Sequence, residues 1–195
     1  MANNVVRIGL VVFAYLVGSI PVGVILGKLK GVDPRRTGSG NIGATNVMRV
    51  GGKALGIVTL LGDAAKGFVP VALAGALGCD ALTIAIVGLA AFLGHIFPVF
   101  LGFKGGKGVA TALGVYLAIR PLVILGAFIV FLIVFLAWRY VSLASMVGAI
   151  VVPVGLYLIK APCELVSMSG IIGILVIIRH KENISRLLKG TENKI

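Results

Sequence analysis

Residues 104–120 read KGGKGVATALGVYLAIR, and the treatment of this stretch decides the fold. Its apolar part, 108–119, has twelve residues between Lys107 and Arg120. An α-helix rises about 1.5 Å per residue, so about 20 residues are needed to cross roughly 30 Å of hydrocarbon. Twelve is short. The segment crosses only if it draws on the glycines before it or thins the bilayer locally. Its neighbours leave less choice, because near-uninterrupted apolar runs fall at 8–27, 54–78, 81–103, 121–138, 140–159 and 161–178. With 108–119 they make seven spans; with that segment re-entrant they make six.

The placement of lysine and arginine favours seven. Lys28, Lys30, Arg35, Arg36, Arg49, Lys53, Lys104, Lys107, Arg139, Arg179, Lys181, Arg186, Lys189 and Lys194 then share one side. The other side keeps Arg7, Arg120 and Lys160, and Lys66 lies within the second span. Such an excess marks the cytoplasmic face. The sequence therefore predicts an all-α polytopic inner-membrane protein with seven transmembrane helices, the N-terminus outside and the C-terminus inside. Residues 1–195 read as a single transmembrane helical domain with cytoplasmic loops 28–53 and 102–108 and a cytoplasmic tail, 179–195.

Composition agrees. The 195 residues are 59% hydrophobic and 12% charged, against about 25% charged in soluble domains. The net charge of +12 would suggest nucleic acid in a soluble protein. Here the basic residues lie between membrane-length segments, so they point to membrane lipids or anionic substrates and away from nucleic acid. Two cysteines, Cys79 and Cys163, make no disulfide framework. Two histidines and six acidic residues show no ligand spacing, so neither metal nor cofactor is expected. The first apolar run is long for a signal-peptide core and reads as a retained span. Gly23, Gly27 and Gly31 repeat at intervals of four, a spacing that lets helices pack closely.

Several polar residues need a reason. Asp63 and Lys66 share a helix face inside the second span, either as an internal ion pair or as the border of a hydrophilic pocket. His95 is an intramembrane histidine followed by Pro98, which would break or bend its helix. Beyond it, Phe103-Lys104-Gly105-Gly106-Lys107-Gly108-Val109-Ala110-Thr111 concentrates glycine and lysine where a helix begins. Backbone N–H groups, the positive helix end and two ammonium groups suit a phosphate. The spacing is not that of a Walker A loop. A second loop, Thr37-Gly38-Ser39-Gly40-Asn41-Ile42-Gly43-Ala44-Thr45-Asn46-Val47-Met48-Arg49, offers hydroxyls, amides and a guanidinium suited to a polyol or phosphate. The tail from Arg179 to Glu192 has helical periodicity, which puts Arg179, Asn183 and Arg186 on one face.

Together these stretches resemble the bacterial membrane-integral glycerol-3-phosphate acyltransferases that use acyl-phosphate as donor. The matching motifs are Gly38-Ser39-Gly40-Asn41-Ile42-Gly43-Ala44-Thr45-Asn46 through Arg49; Gly94-His95-Ile96-Phe97-Pro98 with Phe103 through Thr111; and Arg179-His180 with Asn183-Ile184, Arg186-Leu187, Gly190 and Glu192. The resemblance implies that acyl-phosphate and glycerol 3-phosphate give 1-acyl-glycerol 3-phosphate (lysophosphatidate) and phosphate, without coenzyme A thioesters. It also implies a partner enzyme that supplies acyl-phosphate.

Fitted to this chain, the resemblance implies that His180, Asn183, Ser39 and Lys104 carry the reaction. Lys104, Gly105, Gly106, Lys107 and Gly108 are expected to hold one phosphate. Gly38, Ser39, Gly40, Asn41, Asn46 and Arg49 would hold the other substrate or tie their loop into the site. Arg179 and Ser142 join the binding set, and His95, Thr45, Arg186 and Glu192 support it. Either His180 or a substrate phosphate takes the hydroxyl proton. The site would be assembled from three separate stretches and face the cytoplasm. A small phosphate or organophosphate transporter, or a non-catalytic membrane protein, would share the basic loops.

Overall fold

Hydrocarbon offers no hydrogen-bond partner to a peptide group, so chain inside it must close its own backbone bonds. In the computed structural model, residues 3–194 are described; residues 1, 2 and 195 of the expected domain lie outside the described residues. Ten α-helices account for the apolar runs among the described residues. The chain is a multi-pass membrane protein whose contacts divide it into two compact units, Met1–Ile119 and Arg120–Ile195.

In the first unit, α1 (Asn4–Gly18) and α2 (Val22–Leu29) form one apolar stretch, interrupted before Pro21. The short α3 (Ala44–Gly51) leads through Gly52 into α4 (Lys53–Ala76). Then come α5 (Ala81–Ile96), a 3₁₀ turn at Val99–Leu101, and α6 (Val109–Ile119). The hub is α4, which packs on α1, α2, α3, α5 and α6, while α1 also packs on α5. Pro98 stops α5, as its missing N–H and fixed φ predict. In the second unit, α7 (Pro121–Trp138), α8 (Val141–Leu158) and α9 (Cys163–Arg179) pack in sequence. The last helix, α10 (Lys181–Leu188), follows a 56° bend at His180.

The expected seven transmembrane helices are not found. Among the described residues, Asn4–Leu29, Lys53–Ala76, Ala81–Leu101, Pro121–Trp138 and Val141–Leu158 are each long and apolar enough to cross. A sixth is reached only if Cys163–Arg179 and Lys181–Leu188 count as one bent span. The stretch that fails is the one on which the sequence reading turned. As a helix, 108–119 shrinks to the 11 residues of α6, which rise only about 16 Å. The glycines before it do not extend it, because 104–108 is irregular and Gly108 takes φ +84°. The sorting of basic residues onto one face used this segment as a crossing and loses that support.

Close packing comes from glycine. A Cβ at Gly67 would strike the Thr111 carbonyl and one at Gly114 the Ala64 carbonyl, so α4 and α6 meet backbone to backbone. The α1 and α5 pair does the same at Gly18 and Gly94. Gly23 and Gly27, expected to mark a helix seam, instead receive the following loop: their Cβ positions are taken by the Ile42 and Val32 carbonyls.

Gly114→Val is expected to destabilise the protein by about 1–3 kcal/mol, because overpacking here meets backbone. Gly126→Ala meets nothing within 4 Å and should change stability by less than about 1 kcal/mol. Thermal unfolding in detergent measures both; equal melting temperatures would contradict the backbone contact.

Candidate active site

The first loop is organised around one amide. Asn46, on α3, is 2% exposed. Its Oδ1 accepts the Ser39 N–H at 2.8 Å, and its Nδ2 donates to the carbonyls of Pro34, Thr37 and Asn41 at 2.9, 3.1 and 2.8 Å. Gly38 must be glycine twice over, since its φ is +63° and a Cβ would strike Asn46 Oδ1. The Asn41 side chain accepts the Gly43 N–H at 2.9 Å just before α3 begins. Ser39 and Arg49 are exposed and Thr45 is half-buried. Arg35 is locked to Asp33 at 2.6 Å, a hydrogen bond that holds the Asp33 carboxyl well below the usual carboxylate range.

The second loop lies in the same unit and is shaped by His95. The His95 carbonyl accepts the Gly106 N–H at 3.2 Å. A Cβ at Gly105 would strike that carbonyl, one at Gly106 the His95 Nε2, and one at Gly108 the Phe92 ring. Gly106 and Gly108 are accordingly buried, Gly105 and Lys107 half-buried, and Lys104 exposed. The loop runs into α6, whose first amides have no intrahelical acceptor. On the first turn of α6, buried Thr111 has a hydroxyl without a hydrogen-bond partner among the described residues. Of the two readings open for Asp63 and Lys66, the internal ion pair within α4 is the one formed, with Lys66 Nζ at 2.8 Å from Asp63 Oδ1.

In the second unit the tail does not continue as one helix. His180 stands at the bend, 3% exposed, with Nδ1 at 2.8 Å from the Val176 carbonyl. A carbonyl only accepts, so this contact assigns the proton to Nδ1 and makes Nε2 the acceptor of the neutral ring. The bend also separates Arg179, at the end of α9, from Asn183 and Arg186 on α10, which were expected to share one helical face.

Glu192 holds the tail down. Its Oε1 accepts from Ser142 Oγ at 2.8 Å and from Asn183 Nδ2 at 2.6 Å, and its Oε2 accepts from Arg186 Nε at 2.6 Å. Gly190, at φ +68°, lets the chain turn back to make these bonds. Burial works against the Glu192 charge, but bonds from Asn183, Arg186 and Ser142 outweigh it and hold the carboxyl below its ordinary range. Among the described residues no three His, Cys, Asp or Glu side chains gather as a metal site would require.

The sequence pattern of a family described as glycerol-3-phosphate acyltransferase matches residues 8–190. The chain is 54% identical over 187 residues to the glycerol-3-phosphate acyltransferase of Geotalea daltonii, covering 96% of each chain. To that of Aquifex aeolicus it is 51% identical over 186 residues, covering 95% of this chain and 97% of the other. Among solved structures it is similar to PlsY (YgiH), described as an integral membrane glycerol 3-phosphate acyltransferase, in its glycerol 3-phosphate form. The TM-score is 0.95 at 50% identity, over 97% of this chain and 96% of that one. The lysophosphatidic acid form gives a TM-score of 0.92 at 49% identity, over 97% and 95%.

The three bonds to Glu192 make a pH-dependent contribution. A carboxyl whose pKa falls on folding stabilises the native state above its unfolded value of about 4.3, and that stability is lost as pH drops through the native value. Glu192→Gln should therefore melt below the parent at neutral pH, with the gap closing as pH falls below about 4.3. A gap of constant size from neutral to acid pH would show that the charge is not what fastens the tail.

Proposed function

The chain belongs to the glycerol-3-phosphate acyltransferase family, and from that premise we propose how its residues divide the work. The reaction carries a fatty acyl group from acyl-phosphate to the 1-hydroxyl of sn-glycerol 3-phosphate. It yields 1-acyl-glycerol 3-phosphate, which is lysophosphatidate, and phosphate. Acyl-phosphate is a mixed anhydride and already activated. The glycerol oxygen bonds to the acyl carbon, the bond from that carbon to the phosphate oxygen breaks, and phosphate leaves with the electron pair. The protein's main task is to hold two anions that repel each other, which is work by positioning and electrostatics.

The observation that supports this best is the second loop. Gly105 and Gly106 are pressed onto His95 and Gly108 onto Phe92, while Lys104 stays exposed and the loop opens directly into α6. Lys104, Lys107 and the loop backbone at Gly105 and Gly108 bind one substrate phosphate, while Gly106, its N–H held by the His95 carbonyl, shapes the loop. In the first loop, Ser39 and Arg49 bind substrate, and Asn41, Gly38 and Gly40 shape the backbone around them. Asn46, with its amide committed to four backbone groups, serves by fixing that loop. Arg179 adds positive charge. Ser142, Asn183, Arg186 and Glu192 form the bonded set that sets the tail. His180 accepts the hydroxyl proton at Nε2, the nitrogen that its Val176 bond leaves basic.

The donor comes from a partner enzyme that makes acyl-phosphate. Both loops of the first unit face the cytoplasm of a bacterial inner membrane, as their lysines and arginines favour.

Purified protein given acyl-phosphate and glycerol 3-phosphate, without added metal or coenzyme A, is expected to form lysophosphatidate. No product from folded protein would refute the donor assignment. His180→Ala should lower kcat by roughly 10²–10⁴-fold at saturating substrates, the usual range for a general base. Near-full turnover would transfer the proton to a substrate phosphate. Reporter fusions after residues 52 and 79 should read cytoplasmic and extracytoplasmic respectively; a cytoplasmic signal after 79 would reverse the proposed orientation.

A further inference from the structure

Two charged groups sit inside α4 where water is excluded. The Asp63 and Lys66 side chains are 3% and 4% exposed. Burying such a pair carries a large desolvation cost, and apolar replacements of similar volume are often neutral or stabilising. Stability of α4 alone therefore does not account for it, and its remaining contacts all lead away from α4.

On one side, Lys66 Nζ donates to the Ile20 carbonyl at 2.9 Å. Ile20 lies in the break between α1 and α2, and its carbonyl also accepts the Val22 N–H at 3.0 Å. On the other side, Asp63 Oδ1 faces His95 Nδ1 at 3.7 Å, close enough to orient the ring by charge. The far edge of that ring meets the glycine loop, with Nε2 so near that it would clash with a Cβ at residue 106. The His95 carbonyl takes the Gly106 N–H. A line of contacts thus runs from Ile20 through Lys66 to Asp63 by hydrogen bonds, across 3.7 Å to the His95 ring, and on to Gly106.

We propose that Asp63 and Lys66 are positioning residues for the phosphate loop: through His95 they set the path of residues 105–108, and through Ile20 they anchor that path to the break between α1 and α2. This rests on the reading of that loop as a substrate-phosphate site. Neither residue touches substrate. Their effect is to keep the His95 ring in the one orientation against which the loop is moulded.

The test replaces both charges at once, as Asp63→Asn with Lys66→Met, so that no single buried charge is left behind. The substrate bound by the loop is first identified as the one whose KM rises in Lys104→Ala. In the double variant the same KM should rise about tenfold with kcat nearly unchanged, the signature of a displaced binding group. Amides of 104–109 should exchange hydrogen faster, while the helices keep their protection. Gly106→Ala, which pushes on the His95 ring from the loop side, should reproduce both changes. Unchanged loop exchange, or exchange raised equally in every helix, overturns the proposal.

If the double variant does not fold, His95→Gln with the pair intact is measured in its place. It must loosen the loop by the same readouts, and an unaffected loop again overturns the proposal. Exchange does not depend on turnover. An inactive parent protein would therefore refute the functional reading while leaving the positioning claim to stand or fall by itself.

Discussion

A peptide group in hydrocarbon has no water to turn to, so every departure from helix needs a partner supplied by the protein itself. That constraint organises this chain. At the break between α1 and α2, the Ile20 carbonyl takes Lys66. Where α5 ends, the Phe97 carbonyl takes the Tyr15 hydroxyl at 2.9 Å and the His95 carbonyl takes Gly106. Where α9 ends, the Val176 carbonyl takes His180 Nδ1. The loop before α3 closes on Asn46. Each of these segments is held by a hydrogen bond from a side chain or amide of its own unit.

These stitched segments are also where the chemistry is proposed to lie, and the two facts have one cause. A regular helix spends its amides on itself and presents only side chains. A broken one has amides and ends to offer, and an anion is the ligand that such groups suit. The polar side chains of the motifs therefore divide by burial. Asn46 and Asn183 are buried and bonded to backbone or to another side chain, and His95 is buried against Asp63 and the glycine loop, whereas Ser39, Arg49 and Lys104 are exposed. The buried set fixes where the exposed set stands.

That division explains which parts of the molecule were legible in its sequence. Membrane-length apolar runs announced an all-α membrane protein, because run length maps directly onto helix rise. The count of seven failed at 108–119, where apolar composition and helix length part company. Composition does not register that Gly108 takes a left-handed φ and Phe92 fills the space beside it. Pro98 and the ion pair within α4 were readable because both are local, the first a covalent restriction and the second a spacing of three. The role of Asn46 was not, since an asparagine suits a substrate as well as a carbonyl. Nor was the attachment of Ser142 to Glu192, which joins residues 50 apart through a turn-back at Gly190.

The glycines carry this point furthest. In a bilayer they are expected at helix seams, and Gly67 and Gly114 do sit at one. Gly23 and Gly27 have the same helical spacing and a different use, since the surfaces they leave bare receive the carbonyls of Ile42 and Val32. Helix α2 is thus a bed for the first loop, and its missing side chains let that loop lie flat enough for Asn46 to reach Pro34, Thr37 and Asn41 together. The second loop repeats the device with the parts exchanged. There the glycines are in the loop, at 105, 106 and 108, and the bulk is on α5, in His95 and Phe92. In both places a loop is held by the fit of backbone against a helix, which leaves its remaining polar groups to face outward.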